Sequence, residues 1–244
     1  MRTAIVWFRR DLRVHDHPAL TAAHRAADRV VPVFVLDPRL LDAGRFPSAN
    51  RAWFLLESLR ELREALRARG GELFVRAGKP EAVLADLVEE TGADAVHFAS
   101  DVSPFAMARD KRVDAAVPTV RHPGNFVADV GVPRTTGGGP FTVFSPFHRR
   151  WAQLDRREVH GAPRALAVPP GLAAGRIPAA PAPEAGEPFP PGEAAGRERL
   201  RRFLAGAVEH YADRHDRLAG GTSELSPYLH FGCLSARETH PKCR

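Results

Sequence analysis

A chain of 244 residues with 44% hydrophobic residues has enough core for one large domain or two modest ones, and no apolar run in it is long enough to cross a bilayer. Its two cysteines, Cys233 and Cys243, provide neither a disulfide framework nor a metal-ligand spacing. The N-terminal apolar stretch is followed by arginines, the reverse of a secretory signal, so we expect a cytoplasmic protein. The net charge of +6 fits a polyanionic partner such as nucleic acid, and it equally fits an ordinary globular surface.

Apolar, β-branched runs alternate with amphipathic segments through the first half of the chain. The apolar runs predict buried strands over residues 4–8, 30–36, 72–78, 94–100 and 118–122. The amphipathic segments predict four helices, one opened by Asp16, His17 and Pro18, and the others over 49–69, 80–92 and 105–117. This alternation predicts the α/β class, with a Rossmann-like, doubly wound parallel sheet covered on both faces.

The first strand lacks the usual nucleotide-binding signals. No G-x-G-x-x-G follows it, since "RRDLRVHD" stands there instead, and the chain contains no P-loop. The glycine run at 137–139 follows no predicted strand and indicates a flexible loop.

The composition changes in the second half of the chain. Nine of the 22 prolines fall within residues 161–191, which predicts an extended linker. After it, residues 197–216 form an amphipathic helical pattern whose apolar face contains Leu200, Phe203, Leu204, Val208 and Tyr211. We therefore predict a domain over 1–130, an interdomain segment over 131–195, and the start of a helical domain over 196–244.

The last residues differ from the rest of the chain. "THPKCR" holds one of only three lysines and one of the two cysteines, and Pro241 is expected to end the helix begun by "LSARE". We interpret the sequence after about Glu238 as a frameshift or premature end.

A glycine- and hydroxyl-rich stretch, "GGTSELSPYLHFG", occupies residues 220–232. Ser226 is predicted to cap a helix and Pro227 to occupy its first position. Free N–H groups at such a helix start favour an anion, although a capped helix with no ligand is the commoner meaning of this pattern alone.

Three stretches in this order, "VWFRRDLRVHDHPAL", "FTVFSPFHRRW" and "GGTSELSPYLHFGCLS", resemble the DNA photolyase and cryptochrome flavoproteins. The resemblance implies an α/β antenna domain, a long connection and a helical domain that holds FAD. It also implies blue-light repair of DNA containing pyrimidine dimers, in which excited reduced FAD passes an electron to a flipped-out dimer. A monomer and a second, antenna chromophore, either a reduced folate or a deazaflavin, are expected on the same ground.

The resemblance also assigns site residues. The family loop that cradles the FAD diphosphate and ribitol corresponds to Thr222, Ser223, Glu224, Leu225 and Ser226. Glu224 departs from the usual arginine; because a carboxylate repels a diphosphate, either its side chain points to solvent and only its N–H matters, or the site is weakened.

Three further residues near this loop are matched to the family. Tyr211 resembles the tyrosine that lies along the flavin, although a core aromatic has the same spacing. The DNA-contacting arginine of the family falls on His215, with Arg214 beside it. No catalytic residue is assigned. We expect the chain by itself to be inactive, being cut after the first flavin loop, with the apolar faces of 200–211 and 225–234 lacking a partner.

The first of the three stretches, residues 6–20, is called the first signature below. It is expected to serve the interdomain face, where Arg9, Asp11, Arg13 and Asp16 can pair with one another. His17 replaces the asparagine of the family. His15 and His17 flank an aspartate with no third ligand nearby, which is typical of a solvated loop, so we predict no metal site.

Other functions stay open on the sequence alone. A cryptochrome keeps the flavin but signals instead of repairing. A nucleotide- or pterin-binding α/β module, or an inactive fragment, would share the first domain without the reaction.

Overall fold

The computed structural model describes residues 1–41, 48–217 and 220–242. Its centre is a parallel sheet of five strands in the order β3-β2-β1-β4-β5. The strands are β1 (Thr3–Phe8), β2 (Arg29–Leu36), β3 (Phe74–Ala77), β4 (Ala95–Ala99) and β5 (Thr119–His122). All five lie within or beside the segments predicted from apolar runs, so the predicted fold class is confirmed.

The helices of the first half are α1 (Pro18–Ala26), α2 (Pro38–Leu41), α3 (Ala49–Arg67), α4 (Pro80–Thr91) and α5 (Pro104–Ala116). His17 caps α1 as predicted, because its Nδ1 accepts a hydrogen bond from the backbone N–H of Leu20 at 3.0 Å, and Pro18 follows at the first position. All six residues of β1 are buried, which explains why the strand is apolar on both faces.

Each face of the sheet supports its own core. One core packs Val6 and Phe8 of β1 against leucines of α1 and α3. The other packs Ile5 and Trp7 against α4 and α5. The sheet is therefore doubly wound.

The second half contains α6 (Phe144–Ala152), α7 (Gly192–Leu204), a short 3-10 turn (Ala207–His210), α8 (Tyr211–Arg214), α9 (Ser226–Phe231) and α10 (Ala236–Lys242). The continuous helix expected over 197–216 is interrupted after Leu204, where Gly206 is not helical. The prediction that Pro241 ends the last helix was wrong, because α10 runs through it to Lys242. Cys243 lies outside the described residues.

The proline-rich linker follows the surface of the α/β domain closely. The backbone N–H of Val30 donates to Ala167 O at 2.8 Å, and that of Val75 donates to Ala174 O at 2.7 Å. A side chain at Gly175 would collide with the carbonyl of Val75. Two buried side chains of the linker, Leu166 and Ile177, extend the core beneath α3.

The C-terminal helices share that core. Leu200, Leu225, Tyr228 and Leu234 are buried together with residues of α3, and the Tyr228 hydroxyl donates to Pro190 O at 2.7 Å. The expectation that these apolar faces lack a partner was therefore wrong, since α3 supplies one, although Tyr211 and Leu229 remain exposed. Among the described residues, no helix combines the length and apolarity that crossing a membrane would require.

Candidate functional site

A cavity of about 510 Å³ opens at the carboxyl ends of the strands, beside the point where the strand order reverses between β1 and β4. This position is where open α/β sheets bind their ligands. The walls come from the ends of β1 and β2, the N-terminal turns of α3, α4 and α5, and residues of α2 and α9.

Aromatic rings and guanidinium groups stack at the base of this cavity. Trp7 and Phe98 meet edge to face, with centroids 5.5 Å apart. The guanidinium carbon of Arg9 lies 4.7 Å from the centroid of each ring, and that of Arg109 lies 4.8 Å from Trp7. Such contacts place the cations over the negative faces of the rings.

Asp110 holds both arginines in place. Its Oδ1 lies 2.5 Å from Nη1 of Arg9 and 2.9 Å from Nη2 of Arg109, while its buried Oδ2 has no hydrogen-bond partner among the described residues. Burial lowers the pKa of Arg9, and the neighbouring Arg109 lowers it further. Because an arginine stays protonated despite such shifts, two cations share one carboxylate and the base of the cavity keeps a positive charge.

The rim adds further charge. Arg39 forms a fork with Asp37, with N–O distances of 2.6 to 3.1 Å. Burial opposes ionisation of Asp37, but the hydrogen bonds from Arg39 outweigh it and hold the pKa of the carboxyl below its ordinary value. Arg10, Arg51 and Asp101 also line the cavity. The walls therefore carry more guanidinium groups than carboxylates, together with flat aromatic surface from Phe105 and Phe231.

The end of the glycine- and hydroxyl-rich stretch closes one side of the cavity. Nε of Arg10 donates to His230 O at 3.0 Å, and the backbone N–H of Leu12 donates to Phe231 O at 3.2 Å. Gly232 has a φ of 69°, and a side chain there would collide with the carbonyl of Arg10. Only glycine allows this approach of the two backbones.

The predicted pairing within the first signature is found in part. The backbone N–H of Arg9 donates to Asp11 Oδ1 at 2.7 Å, and the guanidinium of Arg13 donates to Asp16 O, but the ion pairs of Arg9 and Asp16 are with residues distant in sequence. Arg9 pairs with Asp110, and Asp16 pairs with Arg157 and also accepts from Ser235. Arg13 donates to three oxygens: Asp16 O at 2.8 Å, Asn125 Oδ1 at 2.8 Å and Gly232 O at 2.9 Å. The signature thus connects the sheet to α9 and α10 through residues distant in sequence.

Asp11 faces Nε2 of His17 at 3.2 Å. Nδ1 of His17 accepts from the backbone N–H of Leu20, which turns Nε2 toward the carboxylate. Burial alone would raise the pKa of Asp11, but His17 and the backbone N–H of Arg9 outweigh it and lower that pKa to about 2. His15 points away, toward Glu238 at 3.3 Å. Across the described residues, no three His, Cys, Asp or Glu side chains converge as metal ligands would.

The predicted flavin loop lies on the surface. Leu225 is buried and precedes α9 as its N-cap; Ser226 is the first helical residue, so the predicted serine cap was one position off. The hydroxyls of Thr222, Ser223 and Ser226 have no hydrogen-bond partner within the described part of the chain, as a loop that receives a diphosphate would require.

The Glu224 side chain does not simply point to solvent, as one of the two expected alternatives had it. Its carboxylate pairs with Arg199 of α7, whose guanidinium carbon lies 4.8 Å from the Phe189 ring. The side chain therefore points toward α7, and its charge is balanced. Its φ of 51° is in the left-handed region, which costs energy for a residue with a side chain.

Of Tyr211, Arg214 and His215, only Arg214 has a contact with the stretch that contains this loop among the described residues. The Tyr211 ring is half exposed and packs edge to face on Phe203, with centroids 6.0 Å apart. Gly221 approaches Arg214 so closely that a Cβ would lie 2.7 Å from its carbonyl oxygen. His215 lies 2.9 Å from Ala212 O through Nδ1, on its own helical turn. The structure thus brings Arg214 to the loop, while His215 contacts its own segment.

Sequence reasoning missed Arg109 and Asp110 altogether. They lie on a predicted helix, where charged residues are ordinarily read as a solvated face, yet both are buried. The one sign of their burial in the sequence was that residues 105–117 have only a weak amphipathic pattern, with no clearly polar face for charged residues to occupy.

Comparison with known proteins agrees with this geometry. The family described as DNA photolyase matches residues 4–169. A deoxyribodipyrimidine photo-lyase of Streptomyces griseus is 41% identical over 260 residues, covering 100% of this chain and 56% of that protein. The chain spans about half the length of the curated relatives it matches at this level.

Two solved structures are similar over nearly the whole chain. A Synechocystis cryptochrome gives a TM-score of 0.85 at 25% identity, covering 99% of this chain and 55% of that one. An archaeal photolyase from Sulfolobus tokodaii gives a TM-score of 0.76 at 25% identity, covering 98% of this chain and 54% of that one. With the matched signatures, the parallel sheet and its cavity, these findings establish that the chain belongs to the DNA photolyase family.

Proposed function

We propose that this chain provides the antenna-chromophore site and one wall of the FAD site of a protein that repairs cyclobutane pyrimidine dimers in DNA under blue light. The observation that carries the proposal is the cavity at the carboxyl edge of the sheet, where aromatic faces and excess guanidinium groups meet. Membership of the family supports it, and its named relatives include both photolyases and cryptochromes.

The cavity suits a planar, anionic chromophore. The Phe105 and Phe231 rings offer apolar faces to a flat ring system, and Arg39 and Arg51 lie where they can meet a carboxylate or phosphate. A reduced folate and a deazaflavin both have this character. The Sulfolobus structure is described as containing two FAD molecules, with the implication of a novel light-harvesting cofactor, which supports a second chromophore in the family.

The loop from Thr222 to Ser226 suits the diphosphate of FAD. Its free hydroxyls and backbone N–H groups are donors for phosphate oxygens, and Arg199 removes the repulsion that Glu224 would otherwise cause. Tyr211 offers an exposed ring, and Arg214 offers a cation for a DNA phosphate. When bound, reduced FAD would supply a light-driven electron to the dimer.

We propose further that the 244-residue chain does not repair DNA by itself. A ligand site normally encloses about 70–90% of a ligand's surface, whereas Thr222, Ser226 and Tyr211 are all exposed and form one side only. The residues that would enclose the isoalloxazine ring must come from elsewhere.

A chimera tests the proposed reaction. Residues 1–238 would be joined to the unaligned remainder of the Streptomyces griseus photo-lyase, and loss of dimers from an irradiated oligonucleotide would be followed under blue light and in the dark. Repair only in the light supports the proposal. Flavin binding without light-dependent repair would contradict it and favour a cryptochrome.

A further inference from the structure

Two histidines join β5, the last strand in the sheet order, to β4. Nδ1 of His97 in β4 lies 3.1 Å from Nε2 of His122 in β5. The rings are within 16° of parallel and their centroids are 5.1 Å apart, so the two nitrogens face each other edge to edge. One ring therefore donates its N–H to the bare nitrogen of the other, which requires at least one of the facing nitrogens to lack a proton.

The helix α1 packs over this pair and brings no carboxylate to it. Its buried residues are apolar, and the basic residues of its last turn, His24 and Arg25, are exposed. His17 at its cap is the titratable group that acts on His122 from this side. Because His17 already faces Asp11 at 3.2 Å, that carboxylate is engaged.

The other charges around β5 do not compensate for a second proton either. On the opposite face of the strand, Arg121 pairs with Asp114. Within the described part of the chain, neither His97 nor His122 forms an ion pair with a carboxylate. A doubly protonated pair would therefore hold two like charges, with the facing nitrogens 3.1 Å apart, at a site where His97 is 7% exposed.

These surroundings lower the pKa of both rings. Burial lowers the pKa of His97 below its ordinary value of 6.5. Burial, and after it the charges of His97 and His17, lower the pKa of His122 to about 4. When β5 is detached, both rings return to their ordinary pKa, so the open form binds more protons than the closed form between about pH 6.5 and pH 4. Acid in this range therefore favours opening.

The segment after β5 takes part in closing the cavity. Only three residues beyond His122, Asn125 donates through Nδ2 to Arg10 O and accepts through Oδ1 from Nη1 of Arg13 at 2.8 Å. Arg10 is also the residue that donates to His230 O in α9. Movement of β5 would thus reach the contacts between the first signature and α9.

We propose that His97 and His122 form a pH-sensitive switch that fastens β5 to the sheet. With a proton on only one of the facing nitrogens, the pair holds β5 against β4. With a proton on both, the N–H groups oppose each other and β5 separates, since β4 is its one neighbour in the described sheet. Separation of β5 releases Asn125 and loosens the closed side of the cavity, whatever ligand the cavity binds.

Hydrogen exchange followed by mass spectrometry tests the switch on the 244-residue chain without a ligand. Exchange would be measured at pH 7 and pH 5 and corrected for the intrinsic rate at each pH. The opening constant of residues 117–126 should rise about twentyfold on going to pH 5, as expected for a pKa lowered from 6.5 to about 4 by closing. That of β1, which contains no histidine, should change by less than about threefold.

Glutamine variants separate protonation from packing. Glutamine keeps a donor and an acceptor but takes up no proton, so H97Q/H122Q should reduce the rise to less than about threefold. H122Q alone, the milder change, should reduce it to about fivefold or less. The control H24Q/H210Q removes two exposed histidines and should leave the twentyfold rise in place. Near-UV circular dichroism at pH 7 would verify that each variant is folded.

Three results would overturn the proposal. The first is a rise at residues 117–126 of the parent chain that does not exceed the change at β1. The second is a full rise retained in H122Q, which leaves a single histidine at the pair. The third is an equal reduction in H24Q/H210Q, which would assign the pH effect to histidines on the surface.

Discussion

The two proposed chromophore sites differ in how many elements build them. The cavity at the carboxyl edge of the sheet is assembled from residues of two strands and five helices, and its charged groups are fixed by buried partners such as Asp110. The loop at Thr222–Ser226 is one surface segment, whose hydroxyls have no partner within the described residues. A site built by convergence is preorganised before its ligand arrives, whereas a single loop offers donors without enclosure.

The largest effect is expected at the base of the cavity. Asp110→Asn removes the one carboxylate that forms an ion pair with both Arg9 and Arg109 among the described residues, which should lower the free energy of unfolding by about 3 kcal/mol or more. Asp114→Asn removes a surface partner of Arg121 and should cost less than about 1 kcal/mol. Urea unfolding of both variants measures the difference. Equal losses would show that the cavity base is not preorganised in this way.

The contact that closes the cavity comes next. Gly232 and Gly220 both have left-handed backbones, with φ of 69° and 71°, but only Gly232 lies against another backbone, that of Arg10. Gly220→Ala should cost about 1 kcal/mol from strain alone, and Gly232→Ala should cost about 2 kcal/mol beyond that, because α9 must move from the signature. Thermal unfolding would reveal the contrast. If both variants melt alike, α9 does not seal the cavity as described.

Acid should weaken the interaction between Asp11 and His17. The folded pKa of Asp11, about 2, lies below its ordinary value of 3.8, so its contribution to stability is present above pH 4 and is lost as the pH falls toward 2. Asp11→Asn should therefore be less stable than the parent by about 2 kcal/mol at pH 7, and the two should converge near pH 2. Urea midpoints across this range provide the measurement. A difference in stability between the parent chain and Asp11→Asn that stays constant across this pH range would mean that the charge of Asp11 does not cause it.

The smallest effect belongs to the loop. Glu224 has a φ of 51°, so Glu224→Gly should be more stable than Glu224→Ala by about 1 kcal/mol, although both lose the pair with Arg199. Comparing the two variants by urea unfolding isolates the energetic cost of the left-handed backbone conformation, because both variants lose the same ion pair. The opposite order would show that the loop does not hold this conformation in solution.

Local patterns predicted the sheet better than the site. Apolar runs such as residues 4–8 identify buried strands directly, and His17–Pro18 identifies the start of α1. Arg109 and Asp110 could not be placed, because their burial depends on Arg9, 100 residues away in sequence. Similarly, the partner of Glu224 is on another helix, and the partner of the C-terminal apolar faces is α3. Such pairings are tertiary, so only the folded arrangement reveals them.

One titration tests the central claim most directly: that the cavity, and not the loop, forms a complete chromophore site in this chain. Phe105 in the cavity and Tyr211 in α8 are similarly exposed, at 42% and 45%, so F105A and Y211A make a matched pair. Fluorescence titration with FMN, a planar anionic probe, should show saturable binding to the parent chain that F105A weakens about fivefold or more and Y211A leaves unchanged. Binding lost in Y211A but retained in F105A, or no saturable binding to the parent chain, would contradict the account.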